Sequence, residues 1–273
     1  GQAELALGTS LWFSVSGGLL GAGVLVLLGH QLAKMAAWFS VTEYFWLYLM
    51  GLSCAVVVGR SGIARSLTGL AIGLLLSTVG LSAVHGQARF TFGHPELFQG
   101  INFIPAMIGL FGLSEVLRNV SNLDAVPTPA ATHLGRGILA PALRLFRSRP
   151  WAWLRSSAIG SIIGILPGAG ADMAAWVCVA VSKKFSKQPS EYGQGSIHCI
   201  ADATAGNSSS LAGAWIPALV FGIPGDSVTA MVIGVLYMKN LKPGPEIFEQ
   251  QGALVYSIYL IFILANLVLL PVA

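Results

Sequence analysis

The sequence has 273 residues, 55% of them hydrophobic and only 10% charged, with a mean hydropathy of +0.74. Soluble domains carry roughly 25% charged residues, so composition excludes an ordinary soluble protein and implies an all-α membrane protein surrounded by membrane lipid. A net charge of +4 and a pI of about 9.1 do not point to nucleic acid, because the basic residues cluster between apolar runs, as membrane topology requires.

In chain order, Leu5 to Leu28 forms the first expected span, with Gly17, Gly18, Gly21 and Gly23 suited to close helix packing. Val41 to Val58 is the second, entered through an aromatic belt of Tyr44, Phe45, Trp46 and Tyr48. Ser66 to Val84 is the third, His85 to Gly100 a polar connection, and Ile101 to Leu117 a short fourth span, so residues 1–117 read as four transmembrane helices. Residues 118–156 form a basic loop carrying Arg118, Arg136, Arg144, Arg147, Arg149 and Arg155. Within it Asp124 to Leu134 has the proline- and threonine-rich composition of a flexible segment, and Ile138 to Arg147 fits an amphipathic surface helix. Cys54, Cys178 and Cys199 lack paired spacing, and His198 beside Cys199 is too isolated for a metal site.

Residues 157–273 carry the unusual features. The apolar run Ala158 to Val181 is broken by Pro167-Gly168-Ala169-Gly170, with Asp172 just beyond. Proline removes a backbone donor and clashes with the preceding turn. In hydrocarbon each freed backbone group costs several kcal/mol unless it is satisfied, so the break belongs in protein or in a polar cavity. Arg155 precedes the run and Lys183, Lys184 and Lys187 follow it. Both flanks stay on the basic, cytoplasmic side if residues 157–182 form a re-entrant helical hairpin, each arm about half the ~30 Å hydrocarbon core. That orientation puts eleven basic residues inside and four outside (Lys34, Arg89, Lys239 and Lys242).

Ser196 to Tyr237 reads as apolar but twice interrupted, at Gly206-Asn207-Ser208-Ser209-Ser210 and at Gly222-Ile223-Pro224-Gly225-Asp226. The second interruption is the expected break of a discontinuous transmembrane helix, with halves near Leu211–Phe221 and Ser227–Met238. Ala253 to Leu270 is the final span. Two proline–glycine breaks, each followed closely by an aspartate, match the way secondary transporters build sites at the bilayer midplane. Half-helix N-termini offer unpaired N–H groups to an anion, making Pro167, Gly168, Gly170 and Gly225, helped by Ser227 and Thr229, the candidate substrate-binding residues. Asp172, Asp226, Asn207 and Ser208 are candidates for cation coupling, with a possible Na+ at Asp172 and Asp226; no other cofactor is expected. Both aspartates also suit helix N-caps. Asp202 ranks third among these carboxylates, as a structural or interfacial residue.

These motifs carry a resemblance. Gly164-Ile165-Leu166-Pro167-Gly168-Ala169-Gly170, Gly222-Ile223-Pro224-Gly225 with Thr229-Ala230, and Lys242-Pro243-Gly244-Pro245 resemble the large membrane subunit of the tripartite tricarboxylate transporters. So do Glu43-Tyr44-Phe45, Arg89-Phe90-Thr91-Phe92-Gly93 and Pro95-Glu96-Leu97. The resemblance spans nearly the whole chain. It implies a multi-pass inner-membrane permease and not an enzyme. Such a permease works with a small four-span membrane subunit and a periplasmic solute-binding protein, importing tricarboxylates or other small carboxylates with a cation gradient, Na+ above all. It further implies half of an inverted-repeat transporter: the start at Gly1 and the end at Ala273 are those expected of a partial chain, without the N-terminal repeat and further C-terminal spans. Asp172 and Asp226, where small residues are usual in that family, strengthen the coupling role.

Two other classes compete. An intramembrane aspartyl protease pairs a Gly-x-Gly-Asp aspartate with a Pro-Ala-Leu motif, and Pro217-Ala218-Leu219 is present. Yet Asp172 falls one residue late, and the preceding spans hold no second aspartate, since Asp124 is in a loop. The other is a non-transporting scaffold or a degenerate gene product.

Overall fold

The computed structural model describes residues 3–58, 62–82, 85–102, 105–106, 108–121, 139–186, 188–192 and 194–272. The Asp124–Leu134 segment, Arg60, Arg136 and Lys187 lie outside the described residues. The described chain is mostly helical, with almost no strand.

Helix α1 (Ala3–Ala36) is longer at both ends than the apolar core Leu5–Leu28, and α2 (Val41–Val58) has the expected bounds. Helix α3 (Ile63–Ser77) stops short of Val84, where β1 (Gly80–Leu81) pairs antiparallel with β2 (Ala88–Arg89). A 3-10 turn follows at Pro95–Gln99. The region of the expected fourth span contains a π-helical turn, Ile108–Leu113, running into α4 (Ser114–Ser121). The amphipathic segment forms α5 (Leu139–Ser148).

The core is built by the second half of the chain together with α1. Helices α6 (Pro150–Ile165) and α7 (Gly170–Phe185) flank the first break, and α8 (Ile197–Phe221) and α9 (Ser227–Met238) flank the second. A short α10 (Glu246–Gln250) leads into α11 (Gly252–Val272). Helix α8 is the axis, packing along α1, α6 and α7. Among the described residues, two helices, Glu4–Ala36 and Gly252–Val272, are long and apolar enough to cross a membrane.

One expected interruption does not form: α8 runs unbroken through Gly206–Ser210. Ser209 Oγ donates within the helix to the Gly206 carbonyl (3.1 Å), as Thr204 Oγ1 does to that of Ile200 one turn earlier (2.8 Å), while Ser210 Oγ turns outward to the Gly170 carbonyl. The small residues serve close approach instead. A Cβ on Gly164 would overlap the Ser210 carbonyl, one on Gly213 would lie 2.6 Å from the Ser161 carbonyl, and one on Gly21 would lie 2.7 Å from that of Ser209. Two apolar clusters close the ends of this axis. Phe13, Ala201 and Ala205 pack with Leu145, Phe146 and Trp153 at one end, and Leu25, Ile216, Leu219 and Val220 pack with Leu236, Val255 and Tyr259 at the other.

Candidate functional site

The first break is made by local chemistry. Helix α6 ends at Ile165, the Leu166 amide folding back to the Ile163 carbonyl (3.0 Å), and buried Pro167 cannot continue the ladder. Gly168 and Gly170 then take φ values of 79° and 68°, a region that side chains disfavour, and α7 starts at once. Its N-cap, Ala169, supplies no side-chain hydrogen bond. The Gly170 and Ala171 amides therefore have no intrahelical acceptor and no cap from the Ala169 side chain, and Asp172 brings a negative charge to the positive end of the helix dipole.

The second break is finished differently. Gly222 adopts the left-handed conformation (φ 67°), and the amides of Gly222 and Ile223 both return to the Pro217 carbonyl. The Gly244 amide takes the Leu219 carbonyl (2.9 Å) and the Tyr48 hydroxyl of α2 donates to that of Phe221 (3.2 Å). Asp226 caps α9 through a capping box: its Oδ1 accepts from the Thr229 amide (2.8 Å) while Thr229 Oγ1 accepts from the Asp226 and Gly225 amides (3.0 Å each).

The two breaks meet. The Cβ position of Gly170 lies 3.7 Å from Asp226 Cβ and 4.0 Å from the Gly225 carbonyl. A Cβ on Gly225 would stand 2.7 Å from Ala214 Cβ and 3.4 Å from the Gly164 carbonyl, so glycine is required for this approach. Ser210 Oγ reaches the Gly170 carbonyl at 3.5 Å. Helix α2 spans both breaks, with Gly51 against Ile223 and Pro167.

The sequence-derived candidates thus fall into two groups. Pro167, Gly168, Gly170, Gly225, Asp226 and Thr229 converge, and Ser227 opens α9 beside them. Thr229 is fully buried and its amide is held by Asp226, as the Gly225 amide is held by Thr229. The N-terminal amides without a side-chain cap are therefore those of Gly170 and Ala171 in α7 rather than those of α9. Asp172 is exposed in the first turn of α7 and is not its cap. Asn207 and Ser208 sit half-buried within continuous α8, not on unwound backbone. Among the described residues, no group of three or more His, Cys, Asp or Glu gathers as a metal site.

The carboxylate with the richest surroundings is Asp202, ranked third from sequence. It is fully buried at the other end of the helical hairpin, where α6 starts and α7 ends. Ser156 Oγ donates to Oδ1 (3.2 Å), Ser182 Oγ donates to Oδ2, and Arg155 lies 3.7 Å from Oδ2. Tyr192 and Ser182 hydroxyls are 2.7 Å apart, and the Arg155 guanidinium stacks 5.6 Å over the Phe185 ring. The only hint in the sequence was a carboxylate in an apolar run, since its partners lie 20 to 47 positions away.

A family model described as the tripartite tricarboxylate transporter TctA family matches residues 1–273. An uncharacterized 52.8 kDa protein in the TAR-I ttuC' 3' region of Agrobacterium vitis is 32% identical over 269 residues, 98% of this chain and 53% of its own length. An uncharacterized protein in the TAR-II ttuC' 3' region of the same organism is 34% identical over 110 residues, 40% of this chain and 46% of its own. The chain spans about half the length of these relatives or less. No solved structure matches significantly.

Proposed function

The chain belongs to the tripartite tricarboxylate transporter TctA family, a family of membrane transporters and not of enzymes, and from that premise we propose that it forms half of a multi-pass inner-membrane permease. Its cargo is a tricarboxylate or another small carboxylate, delivered by a periplasmic solute-binding protein and moved with a small four-span membrane subunit. Residues 1–117 supply four spans, residues 118–156 the cytoplasmic loop, and α6–α7 the re-entrant hairpin of an inverted-repeat transporter.

The observation that carries this reading is the convergence of the two breaks, with the uncapped amino end of α7 turned to the same place. A substrate carboxylate accepts hydrogen bonds from the amides of Gly170 and Ala171 and is favoured by the helix dipole. A cation, Na+ in our reading, offsets the charge of Asp172 and Asp226, which would otherwise repel the anion. The half-buried Asn207 and Ser208 are further oxygen donors for it.

Uptake of radiolabelled citrate and related carboxylates by the reconstituted complex tests both halves of the proposal. Asp172→Asn and Asp226→Asn are expected to weaken the dependence of uptake on a Na+ gradient while leaving assembly intact. Uptake that responds to Na+ as in the unsubstituted complex would remove the coupling role. Cysteines placed at exposed Trp151 and Phe185 test the re-entrant arrangement, which requires both to label from the cytoplasmic side.

A further inference from the structure

A cavity of about 740 Å³ lies away from the breaks, at the amino end of α8. Its lining includes Arg144 of α5, Glu191, Gln194, Ser196 and His198, with Leu5 of α1 beside them. Three observations concern its polar groups. Ser196 is the N-cap of the 25-residue α8 but its side chain makes no capping bond; it is 9% exposed, and its Oγ is buried without a partner. His198 Nδ1 in the first turn is likewise buried and unpartnered. The first amides of α8 also lack intrahelical acceptors by helix geometry. An unpartnered hydroxyl, an unpartnered imidazole nitrogen and the first amides of α8 therefore gather at one cavity, with the exposed Arg144 in its lining. A buried donor left unsatisfied is costly, so an arrangement of this kind calls for a ligand.

We propose that this cavity binds a phosphate group. Phosphate oxygens are favoured at a helix amino end, where backbone amides and the positive dipole end converge on them. Charge narrows the source. Arg144 and Glu191 offset one another in the lining, leaving the helix end, about +0.5 of an elementary charge, as the surplus. That suits a singly charged phosphodiester better than doubly charged free phosphate. Position agrees, because α5 lines the cavity through Arg144 and carries a second exposed cation, Arg147, while its apolar side packs on α1 and α8; such basic residues attract an anionic lipid surface. An anionic phospholipid headgroup is the occupant the geometry favours.

Native mass spectrometry of the full chain, purified from nanodiscs containing phosphatidylglycerol and phosphatidylcholine, tests this without any transport assay. Phosphatidylglycerol should be retained in preference, and Arg144→Gln should lower its retention about ten-fold, as expected for one charge-assisted hydrogen bond. Ser196→Gly keeps an acceptable helix start, so it removes the hydroxyl without unfolding α8, and should lower retention several-fold. In detergent, inorganic phosphate that raises the melting temperature of the unsubstituted chain, with no lipid retained, would keep the phosphate site but assign it to the free ion. Retention of both lipids alike, retention indifferent to both substitutions, or citrate displacing the lipid where inorganic phosphate does not, would overturn the proposal.

Discussion

At the tip of the α6–α7 hairpin main-chain amides stand beside the carboxylates of Asp172 and Asp226, whereas at its base the polar groups are side chains. The tip owes its form to Pro167, to two glycines with positive φ, and to glycine contacts at Gly164 and Gly225 that a methyl group would prevent. The base is a network in which Asp202 accepts from Ser156 and Ser182 and faces Arg155. A side-chain network holds two helices and a third in one geometry. It answers to the identity of its members. A main-chain site answers only to dihedral angles and to what can come near, so it can present amides to a ligand without any distinctive residue. The two ends of one hairpin thus divide fastening from presentation.

Substitutions can break or sharpen this division, and the largest effect belongs at the base. Asp202→Ala leaves two buried hydroxyls and Arg155 without their acceptor and should cost about 3 kcal/mol, in line with losing one partner of a buried pair. Thermal unfolding in detergent measures it, and a loss below about 1 kcal/mol would mean that the network fastens nothing. Next is Gly164→Ala, where one added methyl meets the Ser210 carbonyl; overpacking of this kind costs about 1–3 kcal/mol. The same unfolding assay applies, and a neutral result would show that α6 and α8 can separate freely. Thr229→Val keeps the shape but leaves the Gly225 and Asp226 amides unpaired, for an expected loss of about 1 kcal/mol. Smallest in stability is Asp172→Asn, exposed at the tip, with a change within about 0.5 kcal/mol. Its effect should appear instead in cation dependence of uptake. If Asp172→Asn destabilised the fold as much as Asp202→Ala, the distinction between the two ends would fail.

How much of this was legible depends on the range of the forces involved. Proline and glycine act on their own turn, so the breaks at Pro167–Gly170 and Gly222–Asp226 could be read locally, as could the bounds of α2 and the amphipathic α5. The capping box of Asp226 and Thr229 is also a local pattern. Gly206–Ser210 misled for the opposite reason. Small polar residues look the same whether they loosen a helix or let neighbours touch it, and Cys178 and Gly160 decide the matter from α7 and α6. The convergence of the two breaks and the surroundings of Asp202 depend on contacts across tens of residues. No spacing rule reports those.

The glycine, alanine and serine face of α8 has an entropic consequence. Ordering a long side chain such as Lys or Met on burial costs up to about 2 kcal/mol of rotamer freedom, and ordering Gly or Ala costs none. Where Gly21, Gly160 and Gly164 approach Ser209, Gly206 and Ser210, little side-chain freedom remains to be lost. Backbone lies against backbone, close enough for Cα–H to approach carbonyl oxygen, a contact of about 0.5–1 kcal/mol each. The axis of the molecule is therefore assembled with a small conformational penalty and depends on fit alone, which is why a single methyl is enough to test it.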